Sequence, residues 1–282
     1  MTERQFTTDR QGEMSGAERL ASLFADARAN DRSVLLPYLT AGLPTIEDSI
    51  DLFEAMADAG ADGFEIGIPY ADPLMDGPVI MEAGNRALSQ GVTVDRSLDV
   101  VREVVARTGK PVLVMTYVNP VLRNGVAEFF AKVDDSGASG VILADLPADE
   151  AGPFVEAARA TGLGMVLFVA PTTGEDRLQT VVAADPAFIY GIAEVGVTGE
   201  RTKTSGSTAE LARRVRAISD LPLVYGVGIS RPDQVRAAAA TGDGVIVGTA
   251  IVRRVLDADT AASAAAELRT YVSELARSVR RS

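Results

Sequence analysis

Gly63-Phe64-Glu65-Ile66-Gly67-Ile68 and the run after it, Pro69-Tyr-Ala-Asp72-Pro73-Leu-Met-Asp76-Gly-Pro78, decide the fold. A short stretch of β-branched and aromatic residues gives way to a loop rich in Pro, Asp and Gly, and the loop to an amphipathic segment, 78–89. That is one strand, one connection and one helix, and the unit recurs along the chain. Strands are expected at 33–39, 63–68, 111–117, 140–144, 165–169, 188–192, 221–226 and 244–248. Helices are expected at 46–59, 78–89 with an additional one at 94–108, 126–136, 149–161, 175–184, 207–219, 231–241 and 250–255. An extra helix, 17–29, precedes the first strand, and another, 261–279, ends the chain. Eight strand–helix units without a composition break predict an α/β protein with a single (β/α)8 TIM barrel. An open doubly wound sheet is the alternative; the sequence carries no dinucleotide fingerprint to favour it. Residues 17–282 are then one domain, and polar residues 1–16 are expected to form a disordered tail.

In such a barrel the chemistry belongs to the loops after the strands. Along the second strand, side chains alternate faces. Phe64, Ile66 and Ile68 share the face that meets outer helices, and Glu65 and Gly67 share the face that points into the barrel. A carboxyl there is desolvated, which raises its pKa toward neutrality and suits it to giving and taking a proton. The competing reading is a glutamate held by core hydroxyls with no chemical task. The loop beyond it offers Asp72 and Asp76 over the barrel mouth. Asp76 stands before Gly-Pro, so it reads equally as the N-cap of the helix that starts near Pro78.

Composition narrows the chemistry further. The chain has no His and no Cys, which removes imidazole relays, thiolate nucleophiles and the usual zinc ligands; no metal site is expected. Its lysines are Lys110, Lys132 and Lys203, none on an inward strand position, so a Schiff-base aldolase has no amine. A net charge of −12 argues against a nucleic-acid partner. There is neither an apolar membrane span nor a signal-like N-terminus, so a cytoplasmic location is expected.

An anion can still be held by backbone amides. The seventh strand ends Tyr225-Gly-Val-Gly228-Ile-Ser230, and the eighth ends Val247-Gly248-Thr249-Ala250 and runs into a helix. Barrels bind phosphate after these two strands, where glycines let it approach N–H groups at a helix N-terminus. Tight turns are the plainer explanation for the same glycines. The sixth strand leads into Glu194–Ser207, polar and glycine-rich, either a loop that closes over a ligand or a surface loop.

Taken together, the blocks Leu36-Pro-Tyr38-Leu-Thr-Ala-Gly-Leu-Pro44, Phe64 to Pro78, Pro111-Val-Leu-Val-Met115-Thr-Tyr117-Val-Asn119-Pro120, Leu143-Ala-Asp-Leu-Pro147, Gly196-Val-Thr198-Gly199 and Gly226-Val-Gly228-Ile-Ser230 resemble the alpha chain of tryptophan synthase. They stand in family order and span nearly the whole barrel, and the second block is highly specific. The resemblance implies retro-aldol cleavage of indole-3-glycerol phosphate to indole and glyceraldehyde 3-phosphate, without a cofactor in this chain. It implies that Glu65 and Asp76 are catalytic, and that Tyr38, Met115, Tyr117, Tyr190 and Thr198 contact the substrate. Phosphate would lie at Gly199, Gly228, Gly248 and Thr249. The implied partner is a beta chain carrying pyridoxal phosphate, in an α2β2 heterotetramer, met by Asp72, Pro73, Asn119 and Pro147. Two departures stand out: Glu194 where a basic residue is frequent, and Met81 where glutamine is common. A stand-alone lyase releasing free indole and a catalytically silent activating barrel are the alternatives; the presence of both Glu65 and Asp76 argues against the latter.

Overall fold

The strands β1 (Val34–Thr40), β2 (Phe64–Gly67), β3 (Val112–Thr116), β4 (Gly140–Leu143), β5 (Gly164–Val169), β6 (Phe188–Gly191), β7 (Leu223–Tyr225) and β8 (Gly244–Val247) lie side by side in chain order. All pairs are parallel, and β8 returns to β1 to close a barrel. The computed structural model describes residues 14–192 and 207–280. The helices are α1 (Gly16–Ala29), α2 (Ile46–Asp58), α3 (Pro78–Ser89), α4 (Val94–Thr108), α5 (Val118–Asn124), α6 (Val126–Asp135), α7 (Gly152–Thr161), α8 (Glu175–Ala183), α9 (Ser207–Arg216), α10 (Pro232–Ala239), α11 (Thr249–Asp257) and α12 (Ala261–Ser278). The expected barrel is the observed one, including the extra N-terminal helix and the paired helices after β2.

Local chemistry starts these helices. Thr45, Thr93 and Thr260 accept the N–H of Asp48, Arg96 and Ser263, satisfying orphan amides at the starts of α2, α4 and α12. Ser15 and Glu18 form a reciprocal capping box. The helix therefore begins at Gly16 with Ser15 as its N-cap, two residues expected in the tail; residues 1–13 lie outside the described residues. On α1, Leu20 and Phe24 are buried, and the Phe24 ring lies 5.7 Å from that of Phe188 on β6.

Three elements differ from expectation. The helix expected over 149–161 opens as a 3-10 turn, Ala148–Glu150, and becomes α-helical only at Gly152, with a proline in its first turn. The α9 helix ends at Arg216, not at Ser219. The α5 helix was not anticipated at all. Its start, Val118-Asn-Pro, has turn chemistry, and its N-cap, Tyr117, makes no side-chain cap bond.

At the strand N-termini, two carboxylates close backbone accounts. Asp62 accepts from the Leu35 N–H at 2.8 Å and pairs with Arg32 at 2.7 Å. Asp243, buried, accepts from the Leu223 N–H at 2.8 Å and pairs with Arg216 and Arg28. These contacts stitch neighbouring strands together at the end of the barrel that carries stability. The opposite end holds the candidate site.

Candidate active site

Parallel pairing sets Tyr38 of β1 beside Glu65 of β2, and Met115 of β3 beside Gly67. The alternation read from the sequence holds. The Phe64 ring packs outward, 5.2 Å from Phe53 on α2, while Glu65 faces the interior. There Glu65, Tyr38, Met115 and Tyr190 meet Asp76, Gly248 and Thr249 around a cavity of about 110 Å³. Glu65 is 4% exposed, and among the described residues its Oε2 has no hydrogen-bond partner. The reading of Glu65 as a carboxyl held by core hydroxyls does not account for that orphan oxygen. Burial first, and the nearby Asp76 charge second, push the Glu65 carboxyl up to about 8, so it holds its proton at neutral pH.

Asp76 lies on the β2–α3 loop, half-buried. It is not the helix cap: the N-cap of α3 is Gly77, and no side chain caps that helix. Its backbone N–H donates to Pro73 O at 3.0 Å, and that of Leu74 to Asp72 O at 3.0 Å, so successive turns shape the loop. Burial raises the Asp76 carboxyl above the ordinary aspartate range, and a hydrogen bond from the Tyr117 hydroxyl opposes the rise. Of the two, Glu65 is the proton-bearing acid in the barrel wall, and Asp76 is the carboxyl nearer the mouth.

Two tyrosine hydroxyls occupy space that glycines leave open. The Tyr38 hydroxyl, 3.2 Å from Thr40 Oγ1, sits where a Cβ on Gly67 would be, and the Tyr190 hydroxyl where a Cβ on Gly226 would be. Phe168 on β5 backs Tyr190 with its ring centroid 4.8 Å away. Tyr117 is buried, and its ring lies 5.2 Å from that of Tyr70. It borders the site through the loop, accepting the Met75 N–H at 3.2 Å, next to Asp76.

Of the expected phosphate positions, Gly248 and Thr249 reach the cavity, as N-cap and first residue of α11. The Ile251 and Val252 amides bond to Gly248 O at 2.9 and 3.0 Å, and the amides before them, of Gly248, Thr249 and Ala250, are those that a helix start leaves for an outside acceptor. Gly228 adopts φ +74° in the β7–α10 loop, two residues past Gly226, and does not line the cavity. Gln234, which sequence reading missed, occupies the amides of Ser230 and Arg231 with its Oε1 at 2.9 and 3.1 Å. Ile80 and Ile246 also line the cavity unannounced. Ile246 was legible, since it shares a strand face with Gly248; Ile80 gave no signal. Glu194, Thr198, Gly199 and Lys203 lie outside the described residues. Among the described residues no cluster of carboxylates is arranged to hold a metal ion.

The expected partner positions surround the same mouth. Asp72, Asn119 and Pro147 are exposed and Pro73 is half-buried. Beside them Leu74 is 82% exposed, Met75 60% and Leu122 57%, an apolar surface at odds with simple hydration. Met81 on α3 is exposed as well.

A family model described as the tryptophan synthase alpha chain matches residues 24–280. The chain belongs to the tryptophan synthase alpha chain family. Among relatives bearing that name, the Streptomyces avermitilis protein is 42% identical over 274 residues, covering 95% of this chain and 99% of the relative. The Geobacter sulfurreducens protein is 38% identical over 257 residues, covering 91% and 97%. A crystal structure of tryptophan synthase from M. tuberculosis superposes with a TM-score of 0.84 at 36% identity, over 96% of this chain and 100% of that one. The alpha subunit from Legionella pneumophila gives 0.84 at 30% identity, over 95% and 99%. For this member of the alpha chain family, the two candidate carboxyls and the α11 N-terminus share one cavity.

Proposed function

We propose that this chain cleaves indole-3-glycerol phosphate to indole and glyceraldehyde 3-phosphate and hands the indole to a beta chain for tryptophan synthesis. The observation that carries the reading is the orphaned, proton-bearing Glu65 facing a cavity that Asp76 also lines. Indole leaves poorly as a carbanion, so its C3 must first gain a proton. Glu65 gives that proton and leaves an indoleninium. Asp76 balances the positive charge and takes the indole N–H proton, which it returns to the nitrogen as the carbon–carbon bond breaks. The Glu65 carboxylate then accepts the glyceryl hydroxyl proton as the carbon–carbon bond breaks. Its electrons return to the indole ring and the hydroxyl carbon becomes the aldehyde, with no redox change. Tyr38, Met115, Tyr117 and Tyr190 wall the indole, and Thr198 contacts the substrate.

Phosphate is held by amides at Gly248 and Thr249, with Gly228 and Gly199 on the neighbouring loops, and the α11 dipole supplies the positive potential. No cofactor is needed in this chain; pyridoxal phosphate belongs to the beta chain. Asp72, Pro73, Asn119 and Pro147 meet that partner, and the exposed Leu74, Met75 and Leu122 supply the apolar area such an interface buries. Indole release from indole-3-glycerol phosphate, with and without a beta chain, tests the reading. The expected result is slow cleavage alone and faster cleavage in the complex. No indole in either arm sinks the proposal, and full turnover by the isolated chain favours a stand-alone lyase.

A further inference from the structure

The block Leu143-Ala-Asp-Leu-Pro147 contributes Pro147 to the partner face, and Asp145 is left without a role. In the structure its carboxylate reaches across to the next loop and accepts the Val118 N–H at 2.8 Å. That amide opens α5, whose own N-cap residue, Tyr117, supplies no side-chain cap. The cap comes instead from Asp145, 27 residues further along the chain. The residue pinned by this cap is the one whose hydroxyl accepts the Met75 N–H at 3.2 Å, one residue before Asp76, and bears on the Asp76 carboxyl. Asn119, on the same first turn, donates to the Tyr70 hydroxyl at 2.8 Å, and the Tyr70 ring packs on Tyr117. The β2–α3, β3–α5 and β4–α7 loops are thus joined through the segment Tyr117–Asn119.

We propose that Asp145 is a positioning residue for Asp76, acting through the Val118 amide and Tyr117. The inference rests on the reading of Asp76 as a reacting group. A carboxylate that caps the β3–α5 junction fixes the backbone from which Tyr117 projects, and a fixed Tyr117 holds the loop amide next to Asp76 and keeps its hydroxyl facing the Asp76 carboxyl. Misplacement of a reacting group by about 1 Å costs up to about 100-fold in rate. The titratable groups facing Asp76 are Glu65 on β2, Tyr38 on β1 and Tyr117 at the end of β3, with Asp145 behind Tyr117. A hydroxyl that donates to the carboxylate favours its ionised form. Loosening Tyr117 therefore raises the pKa of Asp76, and the acid limb of the kcat/KM profile moves to higher pH.

The test uses the full chain saturated with a beta chain, and compares wild type with D145A, D145N, Y117F and the double variant D145A/Y117F. D145A is expected to lower kcat/KM by about 10- to 100-fold and to move the acid limb upward. D145N is expected to recover most of the rate, because its amide oxygen still accepts the Val118 N–H. The double variant is expected to be no worse than Y117F alone, since both substitutions break the same chain of contacts. Fully additive losses, or an acid limb unmoved in D145A, overturn the proposal. Should D145A not fold, D145S serves, its hydroxyl being too short to reach the amide. Amide exchange at Val118 and Met75, expected to quicken in D145A, reads the coupling without catalysis. Wild type that releases no indole therefore refutes the activity, while unchanged exchange at both amides refutes the role of Asp145.

Discussion

Glu65 pays for its chemistry in stability. The unfolded chain ionises this residue above its ordinary value of 4.5, whereas the folded chain keeps it protonated to about 8. A raised folded pKa means the group imposes no penalty below 4.5, and that stability is lost progressively as pH rises from there to about 8. Glu65→Gln removes the titration. It is expected to gain stability over wild type across that window, by denaturant unfolding at pH 5 and pH 9, while turnover falls about 10²- to 10⁴-fold. Parallel stability profiles for the two proteins contradict a buried, proton-bearing Glu65. In wild type, turnover is expected to decline as pH rises through about 8, where Glu65 loses the proton that attacks C3. Asp76→Asn is expected to lose turnover as severely. Because Gly77 is the α3 cap, its melting temperature is expected to stay within a few degrees of wild type. A large drop in melting with activity kept revives the capping role.

At the scale of elements, α11 carries the phosphate argument. Its N-terminus opens on the cavity at Gly248 and Thr249. Thr249→Glu places a negative charge where the helix dipole welcomes one and where a phosphate needs to sit. Glycerol-phosphate binding is expected to disappear by calorimetry while the melting temperature holds or rises; retained binding sends the phosphate elsewhere. Gly228 makes a different case. Among the described residues nothing lies within 4 Å of a Cβ there, yet φ +74° disfavours any side chain. Gly228→Ala is expected to cost about 1 kcal/mol through backbone conformation alone.

The whole molecule divides its tasks between the two ends of the barrel. Asp243 sits at the strand N-termini, buried, serving the Leu223 amide and two arginines. Asp243→Ala strands these partners and is expected to cost about 3 kcal/mol. Its kcat and KM are expected to stay close to wild type, because the cavity lies at the other end. Altered kinetics at full stability break this division.

The sequence by itself determined the barrel, because the strand period of two and the helix period of 3.6 are written in local residue order. That same alternation turned Glu65 inward, and Gly248-Thr249 announced a helix start beside β8. Local order is silent where partners are distant in the chain. Asp76 before Gly-Pro reads equally as a cap or as a reacting group, and only the folded loop shows Gly77 as the cap and Tyr117 beside the carboxyl. The α5 helix was not anticipated because Asp145, which caps it, comes from another loop. The upward shift of Glu65 is likewise tertiary: desolvation depends on what surrounds a carboxyl in space, and Tyr38, Met115 and Tyr190 come from three other strands.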